Sequence, residues 1–195
     1  MTEPAAPQPS FEIRTVAIIG AGVAGRSFAL ACAAAGFLVV LEDVMPANLR
    51  RAEADYAEAS PRGTLGALQL ASTVEEAVRE ADIAVDFVPD ELESKLEIFS
   101  LIDRMAPPKT ILCTPSYALS ITDLASCVYR PDRCIAVRGD LTVHDTDIRL
   151  LYPTSVSKPL LDAVENFLQA LGHKTSTEPD PDVPMLMKNS PTIPA

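Results

Sequence analysis

Gly20-Ala21-Gly22-Val23-Ala24-Gly25 follows residues 15–19, a short and almost uniformly apolar run, and opens residues 23–35, which are alanine-rich and helical in character. Gly36 is a natural stop for that helix. The spacing is G-x-G-x-x-G, set between a strand buried on both faces and a helix. Gly20 permits a tight turn, Gly22 lets a pyrophosphate approach the backbone, and Gly25 lets the helix lie close to the sheet. The free N–H groups of the turn, running through Ala21, Val23 and Ala24, then hold phosphates together with the positive end of the helix dipole.

Outward from the turn, residues 38–41 form a second apolar strand that ends in Glu42-Asp43. An acid about twenty residues beyond the glycines meets the adenosine ribose hydroxyls. Asp43 is the better candidate, because it lies just past the strand where the chain turns toward the crevice, and Glu42 reads as a bystander. Val44 and Met45 follow, with no arginine or lysine to receive a 2′-phosphate. The pattern favours NAD over NADP.

The rest of the chain alternates strand-like and helical segments, the mark of a parallel sheet with covering helices. Strands are expected at 68–71, 83–88, 110–113, 134–137, 148–152 and 173–177. Helices are expected from Pro46 to about Glu58, from Ser72 or Thr73, and over 91–105, 120–128 and 159–171. Arg50 and Arg51 read as a solvated helix face, and Leu92, Leu96, Phe99 and Ile102 as core. The fold class is α/β, a doubly wound, mostly parallel Rossmann-type sheet in a single domain at 11–178. Three of the 17 prolines fall in residues 1–10 and five in 179–195, so both ends read as tails, the first disordered and the second proline-rich.

The chain has 195 residues, 48% of them apolar, enough for one full-sized core. Sixteen basic against 27 acidic residues leave a formal charge of -11, which opposes phosphate backbones and anionic lipid and argues against nucleic acid and membrane as partners. The first residues have neither a basic start nor an apolar core, so no secretory signal is read. Cys32, Cys113, Cys127 and Cys134 show no CxxC spacing and read as buried thiols of a cytoplasmic protein. The chain has only two histidines, and with the cysteines scattered no metal-ligand spacing results.

Beyond the glycine turn, the chain resembles the NAD-binding domain of 3-hydroxyacyl-CoA dehydrogenases, oxidoreductases of fatty-acid metabolism. The likeness starts at Val16-Ala17-Ile18-Ile19-Gly20-Ala21-Gly22-Val23-Ala24-Gly25-Arg26. It continues through Ala84-Val85-Asp86-Phe87-Val88-Pro89-Asp90-Glu91-Leu92-Glu93-Ser94-Lys95, similar to the family's V-I-E-A-V-P-E-x-L-x-x-K. Leu119-Ser120-Ile121-Thr122-Asp123-Leu124 is like its L-S-I-T-x-L, and Arg130-Pro131-Asp132-Arg133 like its R-P-x-R. The resemblance implies that Asp90 is an acid near the cofactor and that Lys95 belongs to the cofactor and CoA region. It also implies NAD as cofactor and an acyl-CoA as ligand.

The chemical half of the family pattern is altered. Where the family has His-Phe-Phe-Asn-Pro, whose histidine takes the hydroxyl proton, this chain reads Arg138-Gly139-Asp140-Leu141-Thr142. Arg138 stands at the histidine position, and a guanidinium stays charged, so it cannot be the base. The glutamate that orients the histidine falls on Leu150, the family's Asn on Pro115, and its substrate-facing Ser on Tyr117. The link between the second and third strands is shorter than the hairpin that helps hold CoA. The family's helical C-terminal domain has no counterpart, although Asp182-Val183-Pro184 and Asn189 are faintly similar to its first segment.

The remaining polar residues have ordinary readings beside functional ones. His144 next to Asp145 reads as a loop histidine or a relocated base, and His173, after Gly172, as a cation suited to a helix end. Asp86 reads as a catalytic acid or, in preference, as a strand-end acid bonded to backbone, and Ser116-Tyr117 as substrate-positioning or as a cap on the sheet edge. Three functions stand open: a 3-hydroxyacyl-CoA dehydrogenase completed by another chain or another base, a non-catalytic NAD(H)-binding subunit or sensor, and a structural domain that binds nothing. An apolar patch left by the absent helical domain points to a homodimer or a separate partner chain.

Overall fold

β1 (Thr15–Ile19) is apolar on both faces because it lies inside the sheet, with Val16, Ala17 and Ile18 wholly buried. In the computed structural model, which describes residues 11–59 and 66–181, it pairs in parallel with β2 (Leu38–Glu42) on one side and β4 (Ile83–Asp86) on the other. β3 (Leu68–Ala71) lies outside β2, and β5 (Ile111–Pro115), β6 (Cys134–Arg138), β7 (Asp147–Tyr152) and β8 (Lys174–Pro179) extend the sheet beyond β4. The strand order is β3-β2-β1-β4-β5-β6-β7-β8. The order reverses between β1 and β4, and a doubly wound sheet opens its crevice there, outside the carboxyl ends.

Helices cover both faces. α1 (Val23–Ala34), α2 (Pro46–Ala59) and α6 (Lys158–Ala170) pack one face, where Phe28, Phe167 and Phe37 meet in edge contacts. α3 (Val74–Val78), α4 (Leu92–Met105) and α5 (Ile121–Ala125) pack the other, around Ile19, Phe99, Ile102 and Leu124. The short helices depend on caps: Thr73 accepts from the Glu76 amide, and Ser120 from the Asp123 amide.

The expected elements are present, with shifted ends. β4 stops at Asp86 rather than Val88, β5 runs on to Pro115, and α5 is shorter than 120–128. β7 is antiparallel to β6, which sets Val137 opposite Leu150 and Arg138 opposite Arg149. The fold also continues past 178. Pro179 ends β8, and the Asp180 carboxylate is buried, accepting from the Ser120 hydroxyl at 2.8 Å and the Thr122 amide at 2.9 Å. The 1–10 tail, the loop at 60–63 and the stretch 182–195 lie outside the described residues. Among the described residues, no helix is long and apolar enough to cross a membrane.

Candidate functional site

The glycine turn leaves β1 at the crevice. Gly20 has φ +101°, a left-handed value that L side chains avoid, and its amide donates to the Glu42 carbonyl at 2.9 Å. Gly22 caps α1 in extended backbone and has no side chain to satisfy the first amides of that helix. A methyl on Gly25 would overlap the Gly20 carbonyl oxygen, so α1 is pressed against the turn as its sequence position requires. A methyl on Gly22 would meet nothing within 4 Å. Open ground in front of unpaired helix amides fits a pyrophosphate. Arg26, unremarked in the sequence beyond the motif, ties the arrangement together by donating to the Ala21 carbonyl and to Asp55, both at 3.0 Å.

Asp43 lies at the lip of this turn, half-buried. Its Oδ2 accepts from the Ala21 amide at 2.8 Å and from Asn48 Nδ2 at 3.0 Å, and its Oδ1 from the Met45 amide at 2.7 Å. These three donors fix the carboxylate, and Oδ1 keeps a lone pair for a ribose hydroxyl. No ion pair forms to Asp43 among the described residues, so no cation waits there for a 2′-phosphate.

Glu42, the bystander of the sequence reading, is 3% exposed. Burial first, and the neighbouring Asp43 charge second, push its carboxyl up to about 7. The folded chain therefore holds a proton that the unfolded chain releases near 4.5, so the neutral carboxyl's contribution is complete below 4.5 and is lost as pH rises through about 7. Wild-type stability, followed by urea unfolding, is expected to fall relative to Glu42→Gln across that interval. Parallel pH profiles for the two proteins would contradict the assignment.

The two residues placed by resemblance part ways. Asp90 is exposed, and its Oδ2 accepts from the Tyr117 amide at 2.9 Å, which joins the loop after β4 to the loop after β5 at the sheet's carboxyl edge. Lys95 is buried. Its ammonium is 1% exposed and sits 2.6 Å from Asp86, itself fully buried, with a second bond to the Pro115 carbonyl at 3.2 Å. Its ammonium is thus engaged within the core, toward Asp86 and Pro115, rather than open at the surface of the crevice. The reading of Asp86 is corrected, since its partner is an ammonium and not only backbone. Burial raises the Asp86 carboxyl and Lys95 opposes that rise.

Arg138 ends β6 at the carboxyl edge. Its guanidinium donates to the carbonyls of Ser116 and Leu119, the latter at 2.6 Å, and so pins the loop that carries Tyr117. Tyr117 is 75% exposed on that loop. Leu150 is fully buried and paired with Val137, so β7 brings no carboxylate to the family's orienting position. His144 is exposed and lies against Gly172, as a loop histidine would. His173 differs from its expectation: burial, with His144 close by, lowers its pKa, so it is neutral at neutral pH and not a helix-end cation. Cys32, Cys113 and Cys134 are buried thiols whose pKa is raised by desolvation, whereas Cys127 is exposed.

Residues 15–138 match the family model described as 3-hydroxyacyl-CoA dehydrogenase, NAD binding domain. A probable 3-hydroxybutyryl-CoA dehydrogenase of Bacillus subtilis (strain 168) is 32% identical over 139 residues, 65% of this chain and 48% of that protein. A 5-formyl-3-hydroxy-2-methylpyridine 4-carboxylate 5-dehydrogenase of Mesorhizobium japonicum is 28% identical over 142 residues, 68% of this chain and 46% of that protein. The chain thus spans about half the length of these curated relatives. Among solved structures, a diketoreductase superposes with a TM-score of 0.76 at 26% identity, covering 86% of this chain and 64% of that one. The (S)-3-hydroxybutyryl-CoA dehydrogenase of Ralstonia eutropha gives 0.75 at 23% identity, over 87% and 64%, a likeness of fold.

Proposed function

Given that the chain belongs to the family of 3-hydroxyacyl-CoA dehydrogenase NAD-binding domains, we propose that it holds NAD(H) at the glycine turn without itself removing the hydroxyl proton of a 3-hydroxyacyl-CoA. NAD is the cofactor of this domain. When bound, it supplies the hydride acceptor of an alcohol oxidation. The amides from Gly22 to Gly25 at the start of α1 hold the pyrophosphate, those of Gly20 and Ala21 being engaged with the Glu42 carbonyl and Asp43; Asp43 accepts from the ribose, and Asp90 borders the far end of the crevice.

The observation that carries the second half of this reading is Arg138, fixed on two backbone carbonyls, at the position that the resemblance assigns to the family's imidazole. A guanidinium is protonated at every working pH and accepts no proton from an alcohol. A positioned base contributes about 10²–10⁴-fold to such a reaction. Leu150 in the core gives no carboxylate to orient an imidazole, and Pro115 has no amide side chain. These groups support the reading of a non-catalytic NAD(H)-binding subunit or sensor.

An acyl-CoA is the second ligand this reading allows, and a homodimer or separate partner chain the assembly it allows. The support is apolar surface near the crevice and the sheet's carboxyl edge, where Val23 and Val44 are each 79% exposed beside Met45, and Tyr117 and Val143 lie open further along. The test of the reading is NADH formation from 3-hydroxybutyryl-CoA and NAD. No turnover above the uncatalysed rate is expected, and Arg138→His is expected to recover little, because its orienting carboxylate is absent. Turnover within about 1–10³ s⁻¹ would overturn the reading. Its loss in His144→Ala would then assign the base to His144.

A further inference from the structure

The antiparallel pairing of β6 and β7 sets Arg138 directly opposite Arg149. β8 then starts at the same edge, with Lys174 beside Asp147. Arg138, Arg149 and Lys174 converge with Tyr117, Asp147 and Ser176 on a cavity of about 650 Å³. Its volume falls in the range of small-molecule sites. We propose that this cavity binds the carboxylate of a small organic monoanion, with Arg138 and Arg149 as its recognition pair and Lys174 as a third cation. The proposal goes beyond cofactor binding and stands without it.

Two like charges directly opposite on one face of an antiparallel pair repel each other, and a strand pair gains nothing from them unless an anion lies between. The chain as a whole carries -11, so three cations gathered on one cavity wall beside the single lining carboxylate of Asp147 stand out against the general field. The balance within the cluster selects the ligand's charge. Arg149 reaches Glu178 at 3.4 Å and Lys174 reaches Asp145 at 3.1 Å, both as solvent-exposed pairs. Arg138 forms no ion pair among the described residues; its partners are the Ser116 and Leu119 carbonyls. The three cations and the carboxylates of Glu178, Asp145 and Asp147 balance, but the Arg138 guanidinium is held by carbonyls alone, so a single carboxylate finds a cation there while a second negative charge meets Asp147. That favours a carboxylate over a phosphate dianion.

Geometry supports the same assignment. The two carbonyl bonds hold the Arg138 guanidinium in one plane, and its remaining N–H groups are free to meet a carboxylate. The Ser176 hydroxyl and exposed Tyr117 give the rest of the lining polar and amphipathic contacts for a short organic body.

The test uses the full chain labelled for nuclear magnetic resonance and three probes: 3-hydroxybutyrate, its neutral methyl ester, and inorganic phosphate. Saturable shifts at Gly139, Ile148 and Thr175 are expected with 3-hydroxybutyrate, with weaker binding of phosphate and none of the ester. Because Arg138 also holds the loop before α5, the decision rests on Arg149→Gln and Lys174→Gln at exposed positions. Each is expected to weaken 3-hydroxybutyrate by about tenfold, the loss of one charge-assisted hydrogen bond. Equal binding of the ester, equal or tighter binding of phosphate, or affinity unchanged in both variants would overturn the proposal. NADH titrated into the same samples separates the two readings. Failure of NADH to bind would count against the cofactor site alone, and the carboxylate result would stand on its own.

Discussion

Lys95→Met is expected to destabilise the fold by about 3–5 kcal/mol, the cost of leaving a buried charge without its partner. Asp86 is fully buried and Lys95 is its ion-pair partner at 2.6 Å. Against a total stability of roughly 5–15 kcal/mol, the loss is a large share of what holds the domain together. The direction of its pH dependence is set by the same burial. Asp86 has a folded pKa raised above its ordinary 3.8, and removing the opposing ammonium raises it further. A carboxyl of that kind contributes fully below its unfolded pKa, and the contribution is lost as pH rises through the folded value. Lys95→Met is therefore expected to regain stability on acidification relative to wild type. Adding Asp86→Leu to Lys95→Met is expected to recover most of the loss, because an apolar pair of similar volume has no charge to desolvate. Urea unfolding at neutral pH and at mildly acidic pH measures all three proteins. A single variant within about 1 kcal/mol of wild type at neutral pH would show that the pair is not the buried one described.

Gly22→Ala and Gly25→Ala are expected to fail for different reasons. A methyl on Gly25 overlaps the Gly20 carbonyl, so the turn must open or α1 must move, and both stability and cofactor binding fall. A methyl on Gly22 meets no protein atom within 4 Å, and its extended backbone suits alanine. Its stability is expected to drop by only about 1 kcal/mol, the difference between glycine and alanine at a helix N-cap. NADH binding by Gly22→Ala is nevertheless expected to weaken on the order of a hundredfold, as the methyl takes the place of the pyrophosphate and roughly two charge-assisted hydrogen bonds are lost. Thermal unfolding and NADH fluorescence titration distinguish the two. A Gly22→Ala protein that binds NADH normally would place the phosphates elsewhere.

The strands were legible because burial on both faces leaves little besides apolar residues. β1 and β3 end where the sequence pattern ends, and β2 differs by a single residue. The glycine turn and the place of Asp43 at its lip were legible too, since both positions follow from spacing along a strand-turn-helix unit. Interactions across elements were not. Lys95 carries the family's motif position, yet nothing local says that its side chain turns under the sheet toward Asp86 on β4. The pairing of Arg138 with Arg149 depends on β7 running antiparallel to β6, a reversal that the short intervening segment does not announce. Asn48 and Arg26 secure the site through contacts five residues or more away, and single polar residues on helices give no periodic signal. His173 resembled a helix-end cation because sequence shows the preceding helix but not the burial that keeps its ring neutral.

A calorimetric titration of the wild-type chain with NADH and then with NADPH tests the central claim most directly. Asp43, fixed by Ala21, Met45 and Asn48 at the lip of the glycine turn, is the group proposed to read the ribose. NADH is expected to bind, and NADPH to bind at least about tenfold more weakly, since the phosphate forfeits a charge-assisted hydrogen bond and meets a carboxylate. Asp43→Ala is expected to weaken NADH on the order of tenfold, and Asp43→Asn to narrow the gap between the two cofactors. Equal affinity for NADH and NADPH, or an Asp43→Ala protein that binds NADH like wild type, would contradict that claim.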